Sequence, residues 1–288
     1  MQVGVLTLAA TSYLVPLASV SPRPLTLVTS LYCLTLVTMA VCTMSSLGFP
    51  FSQLTPHRAL VLHTQRVFHD RAGGVEKEDS GYYYVNLDRH SPAVLAGWVP
   101  QLREARQREI TAKQCEQQLY CGMPVYYPAS SLLRVNHWLP APPPRIWTPV
   151  TLNLTHTAAP TVATRKLLFR VTGPDHLGVF LSPATGIRLA SWSLAAGELL
   201  PGPDWKPGRP TFYIFHSSGK QQDTMEFWLE LEVPRSHYEG NELVDMAVTG
   251  HFLHGSQQQS GELKQFLQQF PGWSYPVGWS SVYKAYKF

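Results

Sequence analysis

The chain has 288 residues, 15% charged, 44% hydrophobic and 11% aromatic, which is enough apolar material for a core of ordinary size and too much for a disordered polymer. A net charge of +4, from 23 Lys+Arg against 19 Asp+Glu without any block of like charges, leaves no basic surface for nucleic acid. With 24 prolines and 20 glycines the chain is no long-helix protein; this composition suits short strands joined by turns.

Charge is missing from the N-terminal end. From Met1 to His57 the single Lys, Arg, Asp or Glu is Arg23. Val3 to Val20 and Leu25 to Leu47 are apolar runs of bilayer-spanning length, so residues 1–52 read as two transmembrane helices joined by Ser21-Pro22-Arg23-Pro24. Thr26, Thr29, Thr35, Thr38 and Thr43 fit such a span because each hydroxyl can return to a carbonyl one turn back. Arg23 favours the cytosolic side, which places Met1 and everything after Phe51 on the far side. The competing reading of the first run, a cleaved signal peptide, lacks a basic start and must accommodate Pro16.

The remainder reads as a strand-rich soluble domain. Alternation with β-branched and aromatic residues marks Ala59–Phe68, Gly81–Leu87, Lys166–Val171, Gly178–Leu181, Thr211–His216, Met225–Val233 and Leu243–Leu253. Turn formers such as Gly73-Gly74, Ala184-Thr185-Gly186 and Ser217-Ser218-Gly219 separate most of them. The expected fold is mainly β, an antiparallel sandwich with one or two helices, at Val99–Gln118 and near 261–270. Leu263, Phe266, Leu267 and Phe270 give the second helix one apolar face. The Pro-rich stretch 140–146 divides the domain into 53–139 and 147–288, as two domains or as one sandwich with a long insertion.

The sequon Asn153-Leu154-Thr155 makes Asn153 a candidate glycosylation site and suits a lumenal or extracellular location. Cys33 and Cys42 fall in the second span. Cys115 and Cys121 flank a short loop; in an oxidising compartment they read as a local disulfide, the alternative being two buried thiols.

Catalytic patterns are scarce. His57, His63 and His69 are evenly spaced, but along a strand residues six apart lie roughly 20 Å from one another, too far for one metal. His251 and His254 could chelate on a helix, whereas this stretch alternates like a strand. Neither a Gly-x-Ser-x-Gly elbow nor His-Glu-x-x-His occurs. Asp88, His90 and Ser91 read as turn chemistry, since triad partners come from separate elements. Glu230 and Glu232 read as the solvent face of a strand. The aromatic C-terminus offers Trp273 and Trp279 as candidate binding aromatics for sugar or peptide, against the simpler reading of a strand closing the sandwich edge.

Several stretches together resemble the endoplasmic reticulum metallopeptidase 1 (Felix-ina) family. They are Cys121-Gly-Met-Pro124 with Tyr126-Tyr127-Pro128, Trp138-Leu-Pro-Ala-Pro142, Thr172-Gly-Pro174 with Asp175-His176, Ala190-Ser-Trp-Ser-Leu194, Phe227-Trp-Leu-Glu230 and Phe270-Pro-Gly-Trp273. The resemblance implies the last membrane helices and the lumenal C-terminal domain of a multi-span endoplasmic reticulum membrane protein. In that family a separate N-terminal domain is a two-zinc aminopeptidase-type peptidase. Its His-x-Asp element has no counterpart here, since His69-Asp70 and Asp88-Arg-His90 have the wrong spacing or order. No catalytic or metal-ligating residue is therefore carried over, and no cofactor is expected in this chain. The chain looks like a C-terminal portion: a fragment, a short isoform or a separate product. The expected role is non-catalytic, an accessory or recognition domain whose partners are the bilayer and a metallopeptidase catalytic domain or another lumenal protein. The alternatives are part of an active peptidase whose catalytic domain lies outside the chain, an enzyme in its own right, or a carbohydrate- or peptide-binding sandwich.

Overall fold

The computed structural model describes residue 20 and residues 22–44, 49–88, 91–104, 109–126, 136–197, 199–219, 222–234 and 242–288. The first apolar run, apart from Val20, lies outside these residues, as do His90, Tyr127 and Pro128. The chain forms two units, Met1–Thr55 and Pro56–Phe288.

In the first unit, helix α1 spans Pro24–Met44. At 1.5 Å per residue its 21 residues measure about 32 Å, the thickness of a hydrocarbon core. Its Pro24–Val41 stretch has a mean hydropathy of 1.7 and none of it is buried. The hydroxyls of Thr29, Thr35 and Thr38 donate to the carbonyls of Leu25, Leu31 and Leu34 at 2.8–2.9 Å, so these side chains carry no unpaired donor. Among the described residues this is the one helix long and apolar enough to cross a membrane.

The second unit is built on a seven-stranded sheet in the order β10-β6-β12-β13-β1-β2-β3. Its strands are β1 (His57–His69), β2 (Val75–Asn86), β3 (His137–Pro140), β6 (His176–Pro183), β10 (Phe212–Ser217), β12 (Val244–Phe252) and β13 (Ser274–Lys287). A four-stranded sheet packs on it in the order β4-β5-β11-β7, from Thr151–Ala158, Thr164–Gly173, Asp223–Glu232 and Arg188–Trp192. A small ribbon pairs β8 (Asp204–Lys206) with β9 (Arg209–Pro210). The β1–β2 hairpin turns at Asp70–Gly74, where Gly73 takes a φ of 81°.

Three expectations need correction. The sandwich is mixed rather than purely antiparallel, because β1 and β13 run parallel from His57↔Ser274 to Phe68↔Ala285. For the same reason the aromatic C-terminal strand does not close an edge but lies at the middle of the large sheet, between β1 and β12. Nor is there a continuous helix from Val99 to Gln118. Short 3-10 turns occupy Ala93–Leu95 and Pro100–Leu102, and Glu109 bridges to His137. Helix α2 (Ala112–Gln117) then starts afresh under a Thr111–Gln114 capping box.

Strands from both sides of 140–146 share the large sheet. The proline stretch itself lies along it: Ala141 N–H donates to the Ser80 carbonyl, Ser80 Oγ donates to the Ala141 carbonyl, and the Pro142 carbonyl bonds to His63.

Side-chain alternation sorts the core into three clusters. Leu177, Val179, Leu181, Met246 and Val248 face the second sheet's Phe169, Val171, Phe227 and Leu229. Farther across the large sheet, Ala59, Val61, Tyr82 and Tyr84 are covered by Leu95, Leu102 and by Leu263 and Phe266 of helix α3 (Gly261–Leu267). The opposite face, with Leu62, Tyr83, Phe180, Ala247 and Tyr283, is covered by residues 110–125.

The β2–β3 pairing leaves no room at Gly81, where an added Cβ would stand 2.4 Å from the Leu139 carbonyl oxygen. Gly81→Ala is expected to cost about 1–3 kcal/mol through this backbone clash, read as a fall of several degrees in the thermal midpoint. An unchanged midpoint would exclude the pairing.

Candidate functional site

The face of the large sheet turned away from the second sheet carries the side chains with chemistry, and the segment 109–126 covers it. Cys115, in α2, and Cys121 are joined by a disulfide with an S–S distance of 2.04 Å. The loop it closes turns through Tyr120, Cys121 and Gly122 in left-handed backbone, with φ of 49°, 60° and 68°. Only the glycine adopts this freely; each of the other two costs on the order of 1–2 kcal/mol. Tyr120 rests on Phe180 with ring centroids 4.2 Å apart, and Tyr283 Oη donates to the Leu119 carbonyl at 2.8 Å.

Beneath the loop sits Arg66, only 3% exposed. Its guanidinium holds Asp79 through two hydrogen bonds of 2.6 and 2.7 Å, donates to the Gly122 carbonyl at 3.2 Å, and stacks on the Trp138 ring 3.7 Å from its centroid. A buried arginine needs this many partners, because leaving water is costly for its charge. Burial pushes the Asp79 carboxyl up, but the donors from Arg66 and Lys77 outweigh it and hold the group below the usual carboxylate range.

An open cleft of about 430 Å³ runs beside the loop. Lys77, Lys206 and Lys287 supply cations to it, Glu76 and Glu116 anions, and Gln114, Gln117 and Gln118 amides, with Cys121 in its wall. This donor and acceptor set suits an extended polar ligand such as a peptide segment. Among the described residues its lining holds no serine, threonine or free thiol, since its cysteine is bound in the disulfide.

At the other end of the same face lies a histidine–aromatic cluster. The register places Ser217, His176, His251, Ser281 and Thr64 in one row across five strands. Trp279 Nε1–H donates to His251 Nδ1 at 3.1 Å, and Tyr126 meets the Trp279, His251 and Phe215 rings edge-on. Because Nδ1 accepts, neutral His251 carries its proton on Nε2, which meets no acceptor among the described residues. Burial pushes His251 down to about 3, with a smaller contribution from His176.

Asp175 accepts from His254 Nε2 at 2.6 Å and lies 3.2 Å from His176 Nδ1, while His176 Nε2 stands 3.2 Å from Ser217 Oγ. Both histidines address the same carboxylate oxygen. Among the described residues no three His, Cys, Asp or Glu side chains converge as metal ligands. A two-zinc centre of the peptidase type does not fit the described side chains.

The residues singled out in the sequence are scattered. Asn153 is exposed on β4. Trp273 packs beside helix α3 and meets His57 edge-on, and Trp279 joins the histidine–aromatic cluster. His57 bonds to Ser274, His63 to Ser260 and the Pro142 carbonyl, and His69 to the Ala285 carbonyl, so the three share no centre. Asp88 receives both the backbone and the guanidinium of Arg58, and Ser91 bonds to Tyr84. Glu230 and Glu232 pair outward with Ser191 and Arg188. Sequence reasoning passed over Arg66 and Asp79 and took Trp138 only as part of a family motif; strand register brings the three together.

Acid should weaken this domain early. His57, His63 and His251 are all lowered from 6.5, foremost by burial, so below that pH the unfolded chain takes up protons that the folded one refuses. The contribution of these histidines is then constant above about pH 7 and falls as pH drops below about 6.5, by roughly 2 kcal/mol at pH 5 from His251 alone at 1.36 kcal/mol per pH unit. Denaturant unfolding of the detergent-solubilised chain at pH 7.5 and 5.0 checks this, with His251→Gln expected to show the smaller drop. Equal drops in both proteins would refute the assignment.

The sequence profile described as "Endoplasmic reticulum metallopeptidase 1, C-terminal domain" matches residues 54–286. Endoplasmic reticulum metallopeptidase 1 of Rattus norvegicus is 31% identical over 254 residues, and that of Homo sapiens 30%. Each alignment covers 87% of this chain and 27% of the relative, so the chain spans about a quarter of these proteins' length. Among solved structures, the yeast delta-COP-I mu-homology domain aligns over 79% of this chain and 95% of its own, at 10% identity and a TM-score of 0.34, a similarity too low to carry functional information. The chain belongs to the endoplasmic reticulum metallopeptidase 1 family, and what it holds of that family is the C-terminal domain.

Proposed function

We propose that this chain is a membrane-anchored lumenal module of the endoplasmic reticulum, a non-catalytic accessory domain that positions or recognises substrates for a zinc peptidase domain outside the sequence given. The observation that carries this reading is the confinement of the match to the family's C-terminal domain, beginning at residue 54, ten residues after an uncharged helix of membrane-spanning length ends at Met44. A disulfide and an exposed sequon asparagine agree with the lumenal side, where thiols are oxidised and glycans are added. In this reading the bilayer is one partner and the peptidase domain, or another lumenal protein, the second. Recognition falls to the cleft beside Cys121 rather than to Trp273 and Trp279, whose rings pack against neighbours. The chain takes no zinc of its own.

Synthesis of the full chain into microsomes tests the topology. The expected product carries an endoglycosidase-sensitive glycan that Asn153→Gln removes, and residues 56–288 resist protease added outside. Digestion of that domain in sealed microsomes refutes the lumenal placement. Chelator-sensitive aminopeptidase activity of the purified chain refutes the non-catalytic role.

A further inference from the structure

We infer that the end of the domain at which β1 begins rests on the bilayer surface, through an apolar patch formed by Tyr275, Val277, Leu60 and Leu87 around Arg58. This rests on the membrane anchoring proposed above and adds a second, non-covalent attachment.

The patch follows from register. On the face that residues 110–125 cover farther along, successive rows read Trp279 beside Leu62, Val277 beside Leu60, and Tyr275 beside Arg58. Leu62 is fully buried, but among the described residues the cover thins beyond it: Val277 is 54% exposed and Tyr275 68%. Leu87, 45% exposed, directly follows the Ala59↔Asn86 pair and so comes beside Arg58. Large apolar side chains thus continue the core's own face into the open, a continuity that scattered surface hydrophobes lack.

Backbone pairing by another strand does not explain them. Beyond Ser280 the β12 side of β13 is already occupied: Ser280 N–H donates to the Gln258 carbonyl, Gln259 Nε2 donates to the Gly278 carbonyl, and Pro276 has no N–H to offer. The patch offers side chains, not a strand edge.

Two observations select a lipid surface as the occupant. The first is position: His57, where the chain enters the domain, is paired with Ser274, so the patch lies one residue along from the attachment point. The second is the tether. The stretch from Ser45 to Pro56 contains Leu47, Phe49, Phe51 and Leu54 and no charged residue, a composition that stays at the interface rather than spanning water. At most about 3.4 Å per residue, these few residues keep the β1 end within reach of the bilayer. The patch itself has interfacial chemistry: a tyrosine, aliphatic side chains and Arg58, whose side chain is 66% exposed while its guanidinium is paired with Asp88.

The test uses the full chain in phosphatidylcholine vesicles, with Cys33→Ser and Cys42→Ser removing the thiols of the anchor. An environment-sensitive NBD label is placed in turn at Tyr275→Cys, Val277→Cys, Val37→Cys in α1, and Val162→Cys in the β4–β5 turn. Doxyl-phosphatidylcholine should quench the labels at 275 and 277 at least about threefold more than the label at 162, as expected for interfacial insertion. Quenching at 37 with none at 275 and 277 overturns the patch proposal and leaves the anchoring intact. No quenching at 37 overturns the anchoring itself. Labels at 275 and 277 that are shielded from iodide yet not quenched by lipid show a protein covering the patch, and also overturn the proposal.

Discussion

The placement of the last strand between the first and the twelfth is the constraint on which the rest of the domain depends. β13 pairs with β1 along nearly the whole length of β1 and with β12 along its C-terminal half, so the large sheet has no continuous middle without it. Joining strands more than two hundred residues apart in parallel makes the whole intervening chain the crossover connection. The entropy of closing so long a loop is offset only when the packed faces form together, which makes the sheet a cooperative unit rather than a set of hairpins.

That strand also sets the chemistry of both faces. Its odd-numbered residues place Trp279 against His251 and Tyr283 under the Leu119 carbonyl, and its Val282 joins the core between the sheets. The disulfide loop is held from below by the same strand, through Tyr283, and by β1, through Arg66. The charge on Arg66 is sustained by Asp79 on β2, the Gly122 carbonyl of the loop and the Trp138 ring of β3. Four segments therefore meet at one guanidinium. An arginine can join them because its planar fork directs several donors at once while its faces remain free to stack.

A family named for a metallopeptidase is represented here by a part in which several acids and histidines are committed to one another. Asp175 is taken by His254 and flanked by His176, His63 by Ser260 and Pro142, and Asp88 by Arg58. Histidines that are plentiful in sequence thus serve as buried connectors between strands and loops. Burial keeps His57, His63 and His251 neutral near neutral pH, which suits hydrogen bonding within the sheet and makes acid a destabilising condition.

Local pattern alone was enough to mark seven of the strands, the helix at Gly261, the apolar helix from Pro24 and the turn at Gly73, because period, turn chemistry and capping act over a few residues. The resemblance to the family was likewise legible in short motifs. The strands that pattern missed include β3 and β4, where prolines or exposed polar residues obscure alternation, while the C-terminal strand was anticipated but placed at an edge instead of between β12 and β1. The failure at Val99–Gln118 has the same root: its Gln, Arg and Glu favour a helix, but the Ile110 N–H bonds to the Asn136 carbonyl and the capping box at Thr111 begins another element. Which residues surround Arg66 and why Trp279 meets His251 were settled only by tertiary structure. Those partners are fixed by register between strands distant in the chain, and a sequence read one residue after another carries no record of that register.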